Sequence, residues 1–203
     1  MTNARAYGQK VVATNPCGEQ PLAPYSVCNL AAINLAEMVN KETKKVDYAR
    51  LIETVRTGVR NQDNVIDATP YFLEENKVQA LGERRVGLGV MGLADMLIYC
   101  EVPYGSDEAN AVVDEVFKTI AVTAYETSIE LGHEKGSFPF LVGKNNGETL
   151  KLRKNFINTG FVKKLPEHIR QDILKYGIRN SHLLTVAPTG STGSMIGVAT
   201  GLE

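Results

Sequence analysis

Apolar residues recur at spacings of three and four along two long stretches of the chain, and this period predicts two amphipathic helices. The first stretch begins at Asp47, a residue type that commonly caps a helix N-terminus, and it continues to about Asp67. Pro70 then ends the helical pattern, because proline lacks the backbone N–H that a helix needs. The predicted inner stripe of this helix consists of Ile52, Val55, Val59 and Ile66.

The second stretch runs from about Asp107 to Leu131. Its predicted inner face consists of Val113, Phe117, Ile120, Ala124 and Leu131. Gly132 follows at once, and glycine is the residue most often found just after a helix C-terminus. The pattern therefore predicts a long helix that stops at Gly132.

Shorter segments complete the predicted organisation. Residues 86–100 are expected to form a glycine-rich helix, and residues 166–177 a second short helix between a proline and a glycine. Residues 132–160 are rich in glycine and asparagine and are expected to be loops. Apolar, β-branched residues at 11–13 and 181–187 predict strands. Helices that alternate with short strands indicate an α/β fold.

Composition limits the class of protein. The 203 residues suit one domain or part of a larger one, and the apolar fraction of 43% is ordinary for a globular chain. The net charge of −1 offers no basic field for nucleic acid. No apolar run reaches membrane length and no signal peptide is visible, so we expect no membrane partner and a cytoplasmic protein. Three cysteines make no disulfide framework, and in a reducing compartment cysteines are more often reactive than structural.

The densest group of reactive side chains lies in residues 15–19, Asn-Pro-Cys-Gly-Glu. If this segment is extended, its alternate residues Asn15, Cys17 and Glu19 point to the same side. The thiol supplies a redox-active or nucleophilic atom, the carboxylate a proton acceptor, and the amide a group that orients a hydroxyl. The pattern predicts chemistry that combines a thiol with a carboxylate, and a second cysteine, Cys28, follows eleven positions later.

Several blocks of the chain resemble the catalytic subunit of ribonucleotide reductases. Residues 15–22, NPCGEQPL, and 25–35, YSVCNLAAINL, are similar to the active-site loop, closest to that of the adenosylcobalamin-dependent class. Residues 84–97, RRVGLGVMGLADML, resemble a helical stretch, and residues 183–203, LLTVAPTGSTGSMIGVATGLE, resemble the substrate-phosphate loop. The blocks follow the order of the family. The resemblance implies that residues 1–203 form a single segment of the ten-stranded α/β barrel, with the cysteine loop threading the barrel interior.

The resemblance also assigns roles to the residues of the loop. Cys17 is the expected thiyl radical site, because a thiol S–H bond is close in strength to a ribose C–H bond and hydrogen can pass both ways. Glu19 is the expected general base for the 3′ hydroxyl, and Asn15 is expected to hydrogen-bond the ribose hydroxyls. Cys28 is the expected redox thiol, one of a pair that supplies two electrons. The family's partner cysteine lies upstream of the loop, whereas no cysteine precedes Cys17 here, so we expect an incomplete cycle in this chain.

A second candidate site lies at residues 188–193, after a predicted strand and before a segment that can become helical. Backbone N–H groups at a helix start, small residues and hydroxyl groups together form an anion site, although a plain glycine turn is the alternative. The sequence lacks the Gly-Lys-Ser/Thr ending of a P-loop. By resemblance, the substrate phosphates bind Pro188, Thr189, Gly190, Ser191 and Thr192.

Other patterns are interpreted as structural. Residues 87–92 match the GxGxxG of dinucleotide-binding folds, but residues 81–85 before them do not form a strand-like run, so we interpret these glycines as packing positions in a helix. Cys100 ends an apolar segment and is expected to be a core cysteine. The histidines at 133, 168 and 182 have no metal-ligand spacing, so no metal site is predicted.

The leading hypothesis is a segment of a ribonucleotide reductase, which converts ribonucleotides to 2′-deoxyribonucleotides. The resemblance implies adenosylcobalamin as cofactor, a thioredoxin-type reductant and a complementing N-terminal part of the reductase. Because family members are much longer, we expect the chain alone to be inactive, whether it comes from a split gene or an excised section. Two alternatives remain: a non-catalytic remnant or interaction module with the reductase fold, and a cysteine hydrolase with Cys17 as nucleophile. The sequence leaves open whether the substrate is a diphosphate or a triphosphate.

Overall fold

The computed structural model describes residues 2–202, and within these the chain forms seven α-helices and six short strands. The strands are β1 (Ala13–Thr14), β2 (Pro21–Leu22), β3 (Asn29–Asn34), β4 (Val39–Asn40), β5 (Lys45–Val46) and β6 (Val86–Met91). The helices are α1 (Tyr48–Ala68), α2 (Glu74–Glu83), α3 (Leu93–Tyr99), α4 (Asp107–Lys135), α5 (Asn146–Ile157), α6 (Glu167–Tyr176) and α7 (Gly190–Ile196). Short 3-10 helices occur at Asn3–Tyr7, Leu35–Met38, Pro139–Leu141 and Val162–Lys164. None of the helices in this range is long and apolar enough to cross a membrane.

The longest strand pairing is parallel and joins β3 to β6, in a register that places Asn29 opposite Val86. The connection between these strands contains α1 and α2, as a parallel pairing requires. The predicted strand at residues 181–187 runs along the other edge of β6 but makes a single bridge, between Leu88 and Leu184. The β1–β2 and β4–β5 pairs are separate antiparallel hairpins. The predicted mixture of helices and strands is confirmed, while the sheets of residues 2–202 do not close into a ten-stranded barrel.

The prediction of a helix over residues 86–100 is wrong for its first half. This half is the strand β6, which is buried along its whole length, and α3 occupies only the second half. Glycine alternates with larger apolar residues in β6 because neighbouring segments approach it closely. A Cβ at Gly89 would lie 2.4 Å from the carbonyl oxygen of Thr185, and one at Gly87 would lie 2.7 Å from Sγ of Cys28.

The first predicted helix is confirmed as α1. The Asp47 carboxylate accepts a hydrogen bond from the backbone N–H of Arg50 at 3.0 Å, the contact expected of an N-cap. Ile52, predicted on the inner stripe, is only partly buried, because the stripe begins one residue earlier. The apolar residues that α1 buries are Leu51, Val55, Val59 and Ile66. This face packs towards α4 and β3, and an ion pair of 2.7 Å between Arg60 and Glu134 joins the exposed sides of α1 and α4.

The second predicted helix extends further than expected, so the predicted stop at Gly132 is wrong. The helix α4 passes through Gly132, which lies against the backbone of residues 178–179; a Cβ there would meet these atoms at 3.4 Å. The helix ends instead before Gly136, whose φ of +83° favours glycine. The predicted inner face is buried at Ile120, Ala124 and Leu131 and partly buried at Val113 and Phe117.

Residues 132–160, predicted as loops, contain the helix α5. Two hydrogen bonds stabilise its N-terminus: Oδ1 of the N-cap residue Asn145 accepts from the N–H of Glu148 at 2.9 Å, and the Glu148 carboxylate accepts from the N–H of Lys144 at 2.8 Å. An N-cap residue followed three positions later by glutamate is a signal that the sequence carries. The helix α2 was likewise not predicted. The short helix α6 is confirmed between its predicted proline and glycine.

Buried apolar side chains form a continuous cluster between β6 and the surrounding helices. Cys100 is partly buried and packs against this cluster, as predicted for a core cysteine. Members of the cluster include Leu51, Val55, Val59, Leu88, Val90, Met96, Leu97, Val116, Ile120, Phe138, Phe156, Ile169 and Ile173. The cluster holds β6 in the interior, whereas β3 fully buries only Ile33, and the candidate site residues lie on the segments that border these strands.

Candidate active site

Residues 15–19 form the turn of the β1–β2 hairpin. The N–H of Gly18 donates to the carbonyl of Asn15 at 3.0 Å, and the N–H of Asn15 donates to the carbonyl of Gln20 at 3.2 Å. Gly18 has a φ of +82°, a left-handed conformation that glycine adopts without strain. The condition of an extended segment is therefore not met, because the chain reverses direction here. The turn leaves Cys17 exposed.

Two of the three predicted side chains in this turn contact each other. Nδ2 of Asn15 donates to Oε1 of Glu19 at 2.5 Å, and Oδ1 of Asn15 accepts from the N–H of Gln20 at 2.9 Å. The second carboxylate oxygen of Glu19, Oε2, is buried and has no hydrogen-bond partner among residues 2–202. A buried acceptor without a donor is costly, so this oxygen is suited to receive a donor from a ligand.

The predicted phosphate loop leads into the helix α7. Thr189 precedes the helix with a φ of +52°, and its hydroxyl oxygen accepts a hydrogen bond from the N–H of Gly201 at 3.1 Å. The Thr189 side chain thus holds the loop to the segment that follows α7. Ser191 and Thr192 are exposed, and the first turn of the helix carries backbone N–H groups that have no intrahelical partner.

A cavity of about 530 Å³ brings the two predicted sites together. Its lining comprises Asn15, Pro16, Cys17, Glu19, residues 30–32, Gly89 and residues 187–192. The Thr185 hydroxyl donates to the backbone carbonyl of Glu19 at 3.3 Å and so ties the segment before the loop to the cysteine hairpin. A thiol, a carboxylate and the N-terminus of a helix therefore face one space of the size that small-molecule sites have. Such a space can hold a small phosphorylated ligand.

Cys28 does not line this cavity. It lines a separate one, of about 270 Å³, which Arg85 also lines. Burial raises the pKa of the Cys28 thiol to about 12; the guanidinium of Arg85 opposes this rise, while Glu19 and Glu83 add to it. The Cys28 thiol is therefore protonated near neutral pH. All three cysteines of the chain are free thiols.

A buried polar network next to the hairpin was not predicted from the sequence. Arg85 and Glu83 are fully buried, and their side chains form an ion pair of 2.9 Å. Nη1 of Arg85 also donates to Oε1 of Gln20 at 2.9 Å, which anchors the residue that follows the hairpin turn. Glu83 further accepts hydrogen bonds from Ser26, Gln79 and Tyr7. The sequence does carry a signal for this network, because three charged residues, 83–85, stand directly before the wholly apolar residues 86–91.

None of the three histidines lines the cavity of Cys17. Their contacts are between His133 and Tyr176, between His168 and Glu126, and between His182 and the hydroxyls of Thr2 and Ser181. The hydrolase hypothesis therefore finds no histidine base beside its nucleophile. Among residues 2–202, no three His, Cys, Asp or Glu side chains are grouped so that they could hold a metal ion.

The GxGxxG match is explained by packing, although in a strand and not in the predicted helix. Gly87 and Gly89 lie inside β6, where adjacent segments leave no room for a side chain. Gly92 has a φ of +70° and donates its N–H to the carbonyl of Ala199 at 2.7 Å. A dinucleotide site needs these glycines in the turn between a strand and a helix, which is not where the first two lie.

Comparison with known proteins adds an independent line of evidence. Residues 1–203 match the family model described as the barrel domain of ribonucleotide reductase. A vitamin B12-dependent ribonucleoside-diphosphate reductase of Thermoplasma acidophilum is 38% identical over 194 residues, which is 95% of this chain and 22% of the relative. The corresponding protein of Mycobacterium tuberculosis strain H37Rv is 36% identical over 194 residues, 96% of this chain and 24% of the relative. A ribonucleoside-diphosphate reductase subunit alpha of Chlamydia pneumoniae is 36% identical over 199 residues, which cover 92% of this chain and 19% of the relative. The chain thus spans less than a quarter of the length of these relatives.

Proposed function

The chain belongs to the ribonucleotide reductase family, as part of its barrel domain, and from this premise we propose that it carries the thiol and phosphate-binding parts of a site that reduces ribonucleotides to 2′-deoxyribonucleotides. The observation that carries the proposal is the shared cavity, which Cys17, Glu19 and residues 188–192 line together. The names of the relatives add ribonucleoside diphosphates as the substrate class.

In the proposed reaction, a thiyl radical at Cys17 takes the 3′ hydrogen atom of the ribose and later returns a hydrogen to it. Glu19 accepts the proton of the 3′ hydroxyl, for which its buried Oε2 without a partner is available. The Asn15 amide donates one hydrogen to Glu19, and its second hydrogen can be donated to a ribose hydroxyl. Once the 3′ carbon carries the radical, the 2′ hydroxyl takes up a proton and leaves as water. The thiol pair that includes Cys28, with its other cysteine in the complementing N-terminal part, supplies this proton and the two electrons of the reduction and ends as a disulfide.

The substrate phosphates bind at residues 188–192. The backbone N–H groups at the start of α7 and the exposed hydroxyls of Ser191 and Thr192 are donors that an anion requires. The Thr189 hydroxyl is already engaged with Gly201, so it keeps the loop in shape and Ser191 and Thr192 supply the free hydroxyls.

The remaining parts of the proposal rest on resemblance. Cys28 is the reducing thiol; it directly precedes β3, of which residues 30–32 line the cavity of Cys17. The resemblance also implies a complementing N-terminal part of the reductase, a thioredoxin-type reductant and a location in the cytoplasm. Adenosylcobalamin, inferred from the B12-dependent relatives, would generate the radical when bound. A cavity of about 530 Å³ is too small for a corrinoid beside a nucleotide, so residues 2–202 do not fit this cofactor by themselves.

Replacing Cys17 with serine in the reductase that contains this segment tests the proposal. Deoxynucleotide formation should be abolished while nucleotide affinity stays nearly unchanged, because a hydroxyl keeps the size of the side chain but has a much stronger bond to hydrogen. Cys100→Ser is the matched control and should retain turnover. Glu19→Gln should slow the reaction by about 10²–10⁴-fold, the usual contribution of a general base. Turnover of the Cys17→Ser variant at a rate comparable to that of the wild type would refute the assignment of Cys17 as the radical site. If the wild-type protein does not bind nucleotides, a non-catalytic module is favoured instead.

A further inference from the structure

Gln20 directly follows the turn of the cysteine hairpin and is buried, although glutamine is usually an exposed residue. Its Oε1 accepts a hydrogen bond from Nη1 of Arg85 at 2.9 Å. Its backbone bonds to Asn15 in both directions. The N–H of Gln20 donates to Oδ1 of Asn15 at 2.9 Å, and the carbonyl of Gln20 accepts from the N–H of Asn15 at 3.2 Å. Gln20 therefore connects a buried guanidinium to the first residue of the turn.

The Arg85 guanidinium is a fixed point for this connection. Its side chain is fully buried, and its Nε donates to Oε1 of Glu83 at 2.9 Å. Three further side chains donate to Glu83 and hold it in turn. Nη2 of Arg85 is buried without a partner, so among residues 2–202 Gln20 is the one acceptor that Arg85 has besides Glu83. A buried donor without an acceptor is costly, so loss of the bond to Gln20 is strongly disfavoured.

The other end of the connection is the Glu19 carboxylate. Because the N–H of Gln20 holds Oδ1 of Asn15, the carboxamide of Asn15 directs its Nδ2 to Oε1 of Glu19, 2.5 Å away. Oε2 of Glu19 is then the oxygen that keeps no partner among residues 2–202. The orientation of Asn15 thus decides which carboxylate oxygen the protein occupies and which one it leaves for a ligand.

We propose that Gln20 and Arg85 are positioning residues for the Glu19 carboxylate and that they act through Asn15. Neither Gln20 nor Arg85 lines the cavity of Cys17, so neither acts on the substrate directly. Without the contact between them, the hairpin backbone at Gln20 is no longer anchored, and Oε2 of Glu19 leaves the place where it accepts the proton of the 3′ hydroxyl. The assignment rests on the proposed function, because it takes Glu19 as the base.

The test is a double-mutant cycle in the reductase that contains this segment. Gln20→Met keeps the length of the side chain and removes the acceptor for Arg85. We expect kcat to fall by about tenfold to a hundredfold, the loss that a displacement of about 1 Å can cause, while the affinity for the nucleotide stays nearly unchanged. In the Glu19→Gln background, Gln20→Met should lower kcat by less than about twofold, because the base that Gln20 positions is already gone.

Two further variants separate positioning from a general loss of structure. Arg85→Lys keeps a cation beside Glu83 but removes the guanidinium donor to Gln20, so it should reproduce the pattern of Gln20→Met in both backgrounds. Thr127→Val is the control. It removes a buried hydroxyl whose hydrogen bond of 2.7 Å, to the carbonyl of Thr123, lies within α4, and it should leave kcat unchanged.

The outcomes distinguish this role from the function of the site. An equal loss of kcat from Gln20→Met in the wild-type and Glu19→Gln backgrounds would overturn the assignment, because Gln20 would then act independently of the base. A wild-type kcat in both Gln20→Met and Arg85→Lys would overturn it too, since Asn15 and Glu19 would keep their geometry without this contact. Both results leave the proposed function intact. Wild-type turnover of the Glu19→Gln single variant would instead refute Glu19 as the base, and the positioning role with it.

Discussion

Replacing Gly89 with alanine tests whether the close contact between β6 and residues 181–187 requires glycine at this position. The new Cβ would lie 2.4 Å from the carbonyl oxygen of Thr185, far inside van der Waals contact, and a backbone atom cannot rotate away. The hydrogen bond from the N–H of Thr185 to the carbonyl of Leu88, now 3.1 Å, would be strained as the two segments separate. Overpacking of a buried position costs about 1–3 kcal/mol and loss of a backbone hydrogen bond about 1 kcal/mol. We therefore expect a loss of about 2–4 kcal/mol in the free energy of unfolding.

Urea denaturation of both chains under the same conditions measures this difference. Gly190→Ala is the matched control, because a Cβ at Gly190 would meet nothing within 4 Å. Since Gly190 lies in α7, its replacement by alanine should be neutral or stabilising by up to about 1 kcal/mol. If Gly89→Ala and Gly190→Ala have the same stability, the close approach of these two segments is not what requires glycine at position 89.

The other predictions concern buried charge, a buried histidine and a helix cap. Arg85→Met should destabilise the chain by about 3–5 kcal/mol in urea denaturation, because it leaves the Glu83 carboxylate buried without its ion partner. The control Lys44→Met breaks an exposed ion pair and should cost less than about 1 kcal/mol. Equal losses of stability in the two variants would contradict the role of the buried pair. Burial lowers the pKa of His182 well below its ordinary value, so below about pH 6.5 the unfolded state binds a proton that the folded state does not. Between pH 7 and 5.5 this proton should remove about 1 kcal/mol of stability, and a His182→Gln variant that loses just as much would refute the assignment. Asn145→Ala should cost about 1 kcal/mol by removing the cap of α5, and an unchanged thermal midpoint would show that the cap is dispensable.

Much of the secondary structure is readable from the sequence where its cause is local. Asp47 caps α1 through a hydrogen bond to a residue three positions away, and the proline and glycine that bound α6 act on adjacent backbone. The missed helix α5 also carried a local signal, the pairing of Asn145 with Glu148. The reactive trio of residues 15, 17 and 19 was likewise evident, because a thiol, a carboxylate and an amide stand within five residues.

Other features depend on segments that are distant in sequence. The sequence predicts a helix at the glycines of β6, because the reason for glycine there lies in residues that are distant in sequence. Thr185 and Cys28 occupy the space that side chains at positions 89 and 87 would need. The stop at Gly132 was wrong for the same reason, since that glycine accommodates the backbone of residues 178–179.

The sequence by itself determined which chemical groups the protein has and where α1, α4 and α6 begin, because caps, turns and apolar periods act over a few residues. Only the tertiary structure decided that Cys17 and Glu19 share a cavity with residues 188–192, and that Arg85 keeps a free donor beside Cys28. Those relations arise when β3, β6 and residues 181–187 come together. Which donor lacks an acceptor, and which oxygen lacks a donor, depends on every neighbour that packing places around it.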